Sequence, residues 1–147
     1  YLLHGNMTNK EIVSLYRNPK IKALVSLTRG EGFGLPLLES AACGLPVIAT
    51  DWSAHTEFLN HGKWIKIESN LVEIPSIRAD GRIFIAGSKW ANPVESIFKR
   101  KIKKFRESPE IPSQWAQEIK SVCRVKYSRN SIMEKYNQVI NEILKND

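Results

Sequence analysis

Residues 23–51 read ALVSLTRGEGFGLPLLESAACGLPVIATD, and the alternation of apolar and glycine-bearing segments in this stretch decides the fold. Ala23 to Thr28 is a short apolar, β-branched run of the kind that forms a buried strand, and Pro36 to Cys43 reads as a helix stopped by Gly44. Pro46 to Thr50 is a second apolar run. Strand, helix and strand in this order imply parallel pairing through a right-handed crossover, hence an α/β fold. The glycines then fall in a strand-to-helix turn at the carboxyl edge of the sheet, where α/β proteins bind their ligands.

Glycine suits a turn that needs positive φ or close approach of backbone to ligand, and Pro36 suits the first helical position. Free N–H groups at such a helix start carry about half a positive charge and favour anions such as phosphate. Glu31 and Glu39 flank the turn, eight positions apart, with Glu39 expected in the first helical turn and Glu31 entering from the loop. A diphosphate repels carboxylates, but carboxylates accept hydroxyl protons well, as in sugars. A ligand with sugar at one end, phosphates in the middle and ribose at the other uses all three features. Taken singly, the two acids read as a loop charge and a helix-start carboxylate; with Gly32, Gly34 and Pro36 they read as a ligand cradle.

The stretch from Glu31 to Asp51, continued by Trp52 to Leu59, resembles the retaining, nucleotide-sugar-dependent glycosyltransferases with a GT-B fold and an E-x7-E signature. The opening His4 to Tyr16 and the closing helix around Tyr127 to Leu144 fit the same family. The resemblance implies a Rossmann-like parallel sheet flanked by helices, the C-terminal half of a GT-B fold, ending in C-terminal helices. It implies that Glu31 is the catalytic-site acid that contacts the donor sugar. Gly32, Phe33, Gly34 and Leu35 would face sugar and phosphate, Glu39 would bind the ribose, and Thr50 and Asp51 would lie at the same edge.

Arg29, His55 and Glu57 are further candidates. Arg29 would aid the phosphates, or else is an exposed loop arginine. His55 stands where the family's turn is usually small and glycine-rich, and without a Ser or Cys partner it is not read as a catalytic base. Glu57 matches a recurrent acid of the family, and otherwise caps a helix from Ala54 to Leu59. Asp51 has an equally plain role as a turn or cap residue.

The implied partners are a nucleoside-diphosphate-sugar donor and a hydroxyl acceptor, whether glycan, lipid-linked or small molecule. The resemblance begins partway through the donor domain, so residues 1–147 are expected to form one truncated donor-binding domain. The N-terminal acceptor domain is absent from it, with the early βα unit that usually supplies an Arg and a Lys to the diphosphate. A nucleotide-sugar-binding module without turnover is therefore the alternative reading. No cofactor is implied, and without an Asp-rich motif or a His/Cys cluster no metal is expected. A dinucleotide-binding Rossmann unit is the chemical rival, but its third glycine would fall on Leu35 and the helix looks short for it.

The length, 147 residues with 42% hydrophobic, suffices for one domain with a real core. No run approaches a membrane span and the N-terminal residues show no signal-peptide pattern, so a cytoplasmic setting is the default expectation. Cys43 and Cys123 read as buried free thiols. The net charge of +7 is concentrated in Lys99 to Arg106, which holds six cations, while Phe98, Ile102 and Phe105 recur at helical spacing. This amphipathic helix has either a solvated basic face or a contact with an anionic membrane surface or lipid-linked acceptor, giving a peripheral location. Nucleic acid is not expected, for want of interleaved aromatics.

Elsewhere, Tyr1 to His4 resembles a strand end, and Thr8-x-x-Glu11 forms a capping box for a helix that Asn18-Pro19 stops. Trp64 to Ile67 and Arg82 to Ile85 are predicted strands, and the segment between Gly62 and Asn92 suggests no function. Pro93 to Arg106, Pro112 to Tyr127 and Ser128 to Leu144 are predicted helices, the last with Ile132, Tyr136, Val139, Ile140 and Ile143 along one stripe. Trp90 and Trp115 are expected to be packing anchors.

Overall fold

The computed structural model describes Leu2 and residues 5–145; apart from Leu2, the strand end expected over residues 1–4 lies outside the described residues. Helix α1 (Asn9–Tyr16) begins at the expected capping box, in which the Glu11 carboxylate accepts from Thr8 N–H at 2.7 Å and Glu11 N–H donates to Thr8 Oγ1. Strands β1 (Leu24–Ser26), β2 (Val47–Thr50) and β3 (Ile65–Ile67) pair in parallel in the order β1-β2-β3. The register sets Leu24 against Val47 and Ile48 against Ile65. Every residue of β2 is buried, as befits a central strand covered on both faces.

Side chains alternate across the sheet. Val47 and Ala49 face helix α2 (Leu35–Cys43), helix α3 (His55–Leu59) and helix α5 (Glu110–Lys126), in one core with Leu37, Phe58, Ile119 and Cys123. Ile48 and Ile67 face helix α4 (Glu95–Glu107), which contributes Phe98, Ile102 and Phe105. Each such large apolar side chain removed from water stabilises the fold by about 1.5–3 kcal/mol. Helix α2 ends as expected at Gly44, whose φ of +81° gives it a left-handed cap. A Cβ there would lie 2.7 Å from Gln117 Nε2. Helix α5 completes this end: Gln117 donates to the Gly44 carbonyl and Arg124 Nε to the Ala42 carbonyl.

The segment between the sheet and α4 differs from expectation. Arg82 to Ile85 is not a strand: the Asp80 carboxylate accepts the N–H groups of Arg82, Ile83 and Phe84, each at 2.9 Å, and folds the segment into a turn. The strands of this region are β4 (Ser69–Glu73) and β5 (Lys89–Pro93), an antiparallel ribbon with Leu71 opposite Ala91. Pro93 thus closes a strand instead of opening α4. Helix α6 (Arg129–Lys145) forms as predicted, yet its apolar stripe stays exposed at Tyr136, Val139, Ile140 and Ile143.

Candidate functional site

The turn after β1 is held from three sides. Gly34 adopts φ +84° and caps α2, accepting through its carbonyl from the N–H groups of Leu37 and Leu38. A side chain is excluded there twice over: the conformation favours glycine, and a Cβ would meet Leu37 Cδ1 at 3.0 Å and His55 Cβ at 3.1 Å. Helix α2 therefore starts at Leu35, one residue earlier than Pro36, and Glu39 falls beyond the first turn. Phe33 anchors the turn from below, its ring 5.6 Å from Phe58 and 6.3 Å from Tyr127.

The third restraint comes from Ser53. Its Oγ accepts from the Glu31 N–H at 2.8 Å and donates to the Glu31 carbonyl at 2.7 Å, clasping the Glu31 backbone at both polar groups. Ser53 has φ +87°, and among the described residues it is the one non-glycine residue in the left-handed region. Sequence reasoning missed this residue as a site element, because nothing in its local spacing announces a partner 22 positions away.

Among the described residues, the N–H groups of Phe33, Gly34 and Leu35 meet no protein acceptor. Neither the Glu31 nor the Glu39 carboxylate has a hydrogen bond or ion pair there. Glu31 is half-buried and Glu39 exposed. Glu39 stands on the α1 side of α2, where with Cys43 it adds to the burial that raises the Tyr16 hydroxyl above its ordinary pKa. Unpaired amides at a helix start can hold an anion, and uncommitted carboxylates can accept hydroxyl protons.

The other candidates scatter. Asp51 is engaged: its Oδ1 accepts from Lys66 Nζ at 3.2 Å. It lies beside Trp52, Ser53 and Thr56 in an open hollow of about 520 Å³. Thr50 is fully buried and its hydroxyl has no partner among the described residues. His55 is fully buried as well, and its Nε2 donates to the Thr50 carbonyl at 2.7 Å, the only sense a carbonyl permits. Neither side chain reaches the surface: Thr50 ends the fully buried strand β2, and the His55 ring packs against Trp64 with 6.1 Å between ring centroids. Glu57 is exposed in the first turn of α3, where it adds to the burial that raises the Tyr127 hydroxyl.

The Arg29 guanidinium lies 4.2 Å above the Trp90 ring, while its carbonyl accepts from Ala91 N–H. The β4-β5 ribbon is thereby tied to the entrance of the turn. No cluster of three or more metal-ligating side chains forms among the described residues, and no helix there is long and apolar enough to cross a membrane.

The chain is similar to the serotype-specific mannosyltransferase WbdA of Escherichia coli, with 39% identity over 59 residues, 40% of this chain and 7% of that protein. Two further WbdA sequences from Escherichia coli share 37% identity over 59 residues, with the same coverage. The match thus spans a small part of these relatives. No solved structure matches the chain significantly. The family model for glycosyl transferases group 1 matches residues 2–79, which include the whole turn from Glu31 to Glu39 and the Ser53 clasp, and the chain belongs to that family.

Proposed function

We propose that this chain is the donor-binding part of a retaining glycosyltransferase, which moves a sugar from a nucleoside diphosphate to a hydroxyl acceptor. One observation carries the reading: an amide-bearing helix start at Gly34 stands between two uncommitted acids, Glu31 and Glu39, in a chain of this family. In this reading the amides of Phe33, Gly34 and Leu35 hold the diphosphate, Glu39 accepts from the ribose hydroxyls and Glu31 faces the donor sugar. As the bond from the sugar to the diphosphate breaks, the electron pair leaves with the phosphate oxygen. Fixed amide dipoles stabilise that charge, and Glu31 positions the oxocarbenium-like carbon. The acceptor oxygen bonds to the same face of that carbon, which is retention, and its proton passes to the departing phosphate oxygen. No metal enters this reading.

The division of roles between the acids is what the resemblance to the family implies, and the names of the relatives favour mannose as the sugar. In this reading, as the family resemblance implies, the acceptor is held with a second Rossmann-like domain. Calorimetric titration with a panel of nucleoside diphosphates and their sugar conjugates, mannose included, tests the reading. Glu39→Ala should lose about 1.5–3 kcal/mol of nucleoside diphosphate binding, the range for charge-assisted hydrogen bonds. Glu31→Ala should keep that affinity and lose the increment due to the sugar. Unchanged affinities in Glu39→Ala across the panel reject the reading.

A further inference from the structure

Helix α4 holds six cations between Lys99 and Arg106. Its apolar side, Phe98, Ile102 and Phe105, is already seated on the sheet and is not free to insert elsewhere. Arg100, Lys103 and Lys104 project from the opposite side at helical spacing and are exposed, with Lys99 and Arg106 beside them. Lys99 pairs with Glu95, and Lys101 with Glu68 at 2.9 Å. Among the described residues Arg100, Lys103, Lys104 and Arg106 have no ion pair. Like charges three and four residues apart on one helix repel each other, so an external anionic surface relieves them.

Two clefts flank the second half of this helix. One, of about 430 Å³, runs between α4 and the start of α5, with Lys101 and Lys104 at its rim and Phe105, Ile111 and Trp115 along its wall. The other, of about 610 Å³, lies on the far side of α4, where Lys22, Lys103 and Arg106 surround Ile102, Phe105 and Pro109. Both are apolar inside and cationic at the edge. A phospholipid whose phosphate sits at the rim matches this order, with phosphate outside and glycerol carbon within.

We propose that this face of α4 docks on a bilayer rich in anionic phospholipid, with the cations on lipid phosphates and the clefts receiving the glycerol region. A nucleic acid would leave both clefts unfilled and finds no exposed aromatic ring on α4 to stack on, since Phe98 is half-buried and Phe105 buried. The Val94 N–H donates to the Glu68 carbonyl, so α4 starts beside the carboxyl end of β3 and runs back along the sheet. Docking through its outer face leaves the turn at Gly34 on the carboxyl edge, open to water. The inference stands apart from the transferase reading, because it uses none of the residues of that turn.

Co-sedimentation with vesicles of phosphatidylglycerol and phosphatidylcholine tests it. The chain should bind the mixed vesicles, ignore pure phosphatidylcholine and be released as ionic strength rises. Each cation near an anionic surface contributes about fivefold in partition, so R100Q/K103Q/K104Q should lower it on the order of a hundredfold. A charge-matched K10Q/K135Q/K145Q protein should lose far less. If the triple variant loses its circular dichroism spectrum, Arg100→Gln alone should still show the fivefold loss. Binding should also shift the tryptophan emission of the wild type to the blue, and Trp115→Phe should remove most of that shift. Equal binding to neutral vesicles, equal loss in the charge-matched control, or tighter binding to a single-stranded oligonucleotide than to the vesicles overturns the proposal.

Discussion

Ser53 holds φ +87°, a conformation that costs a residue with a side chain about 1–2 kcal/mol relative to glycine. What it gains is the double hydrogen bond to the Glu31 backbone. Alanine would keep the strain and lose the clasp; glycine would lose both. We therefore predict that Ser53→Ala and Ser53→Gly each lower affinity for the nucleoside-diphosphate sugar about thirtyfold, at roughly 1 kcal/mol for each of the two hydrogen bonds. Binding of the sugar-free nucleoside diphosphate should stay as in the wild type, and Ser53→Gly should melt no lower than Ser53→Ala. If titration finds the sugar-dependent increment intact in both, the clasp does not orient Glu31. Residue types and spacing made Glu31, Gly34 and Glu39 legible in the chain, because turn, cap and acids all lie within nine residues. The partners of Ser53, Asp51 and Arg29 were not legible, since each lies at least 15 positions away and no local pattern encodes the pairing.

The helices were legible for a similar reason. Caps, stops and apolar period placed α1, α4, α5 and α6 close to their observed bounds, all of them local signals. The β4-β5 ribbon failed that test: Ser69 to Glu73 is mostly exposed, carries no clear alternation and is defined by pairing with residues up to 24 positions away. Between its strands, the turn that replaces the expected strand at Arg82 to Ile85 hangs on one carboxylate. The Asp80 carboxyl lies below its ordinary pKa because the N–H groups of Phe84, Arg82 and Ile83 hydrogen-bond the ionised form. A lowered pKa means that the ordering is present above the ordinary carboxyl value and is lost as pH falls through the depressed one. Amide exchange at Arg82, Ile83 and Phe84 should therefore speed up in Asp80→Ala at neutral pH, while exchange in β2 is unchanged. Equal protection of the three amides in the variant would show that the carboxylate does not hold the turn.

Across the whole molecule, the sheet divides two apolar clusters, and Cys123 sits in the one formed with α2, α3 and α5. Burial pushes its thiol up to about 11, and burial likewise raises the Tyr16 and Tyr127 hydroxyls. A raised folded-state value means that the unfolded chain gives up its proton first. Stability is thus complete below the ordinary thiol pKa of about 8.5 and declines as pH climbs towards 11. Thermal melts should be flat through neutrality and fall above that point, less steeply in Cys123→Ala. Iodoacetamide should modify half-buried Cys43 first and reach Cys123 only on opening. Rapid modification of Cys123 at neutral pH would show that this core is open. The sequence by itself determined the α/β class, the glycine-bearing turn with its two acids and the run of helices, because periodicity, glycine and proline act over a few neighbouring residues. Only the tertiary structure decided the Ser53 clasp, the burial of Thr50 and His55, the stacking of Arg29 on Trp90 and the antiparallel ribbon. Those features join distant segments, and which pairs meet depends on how the packed core orients the elements that carry them.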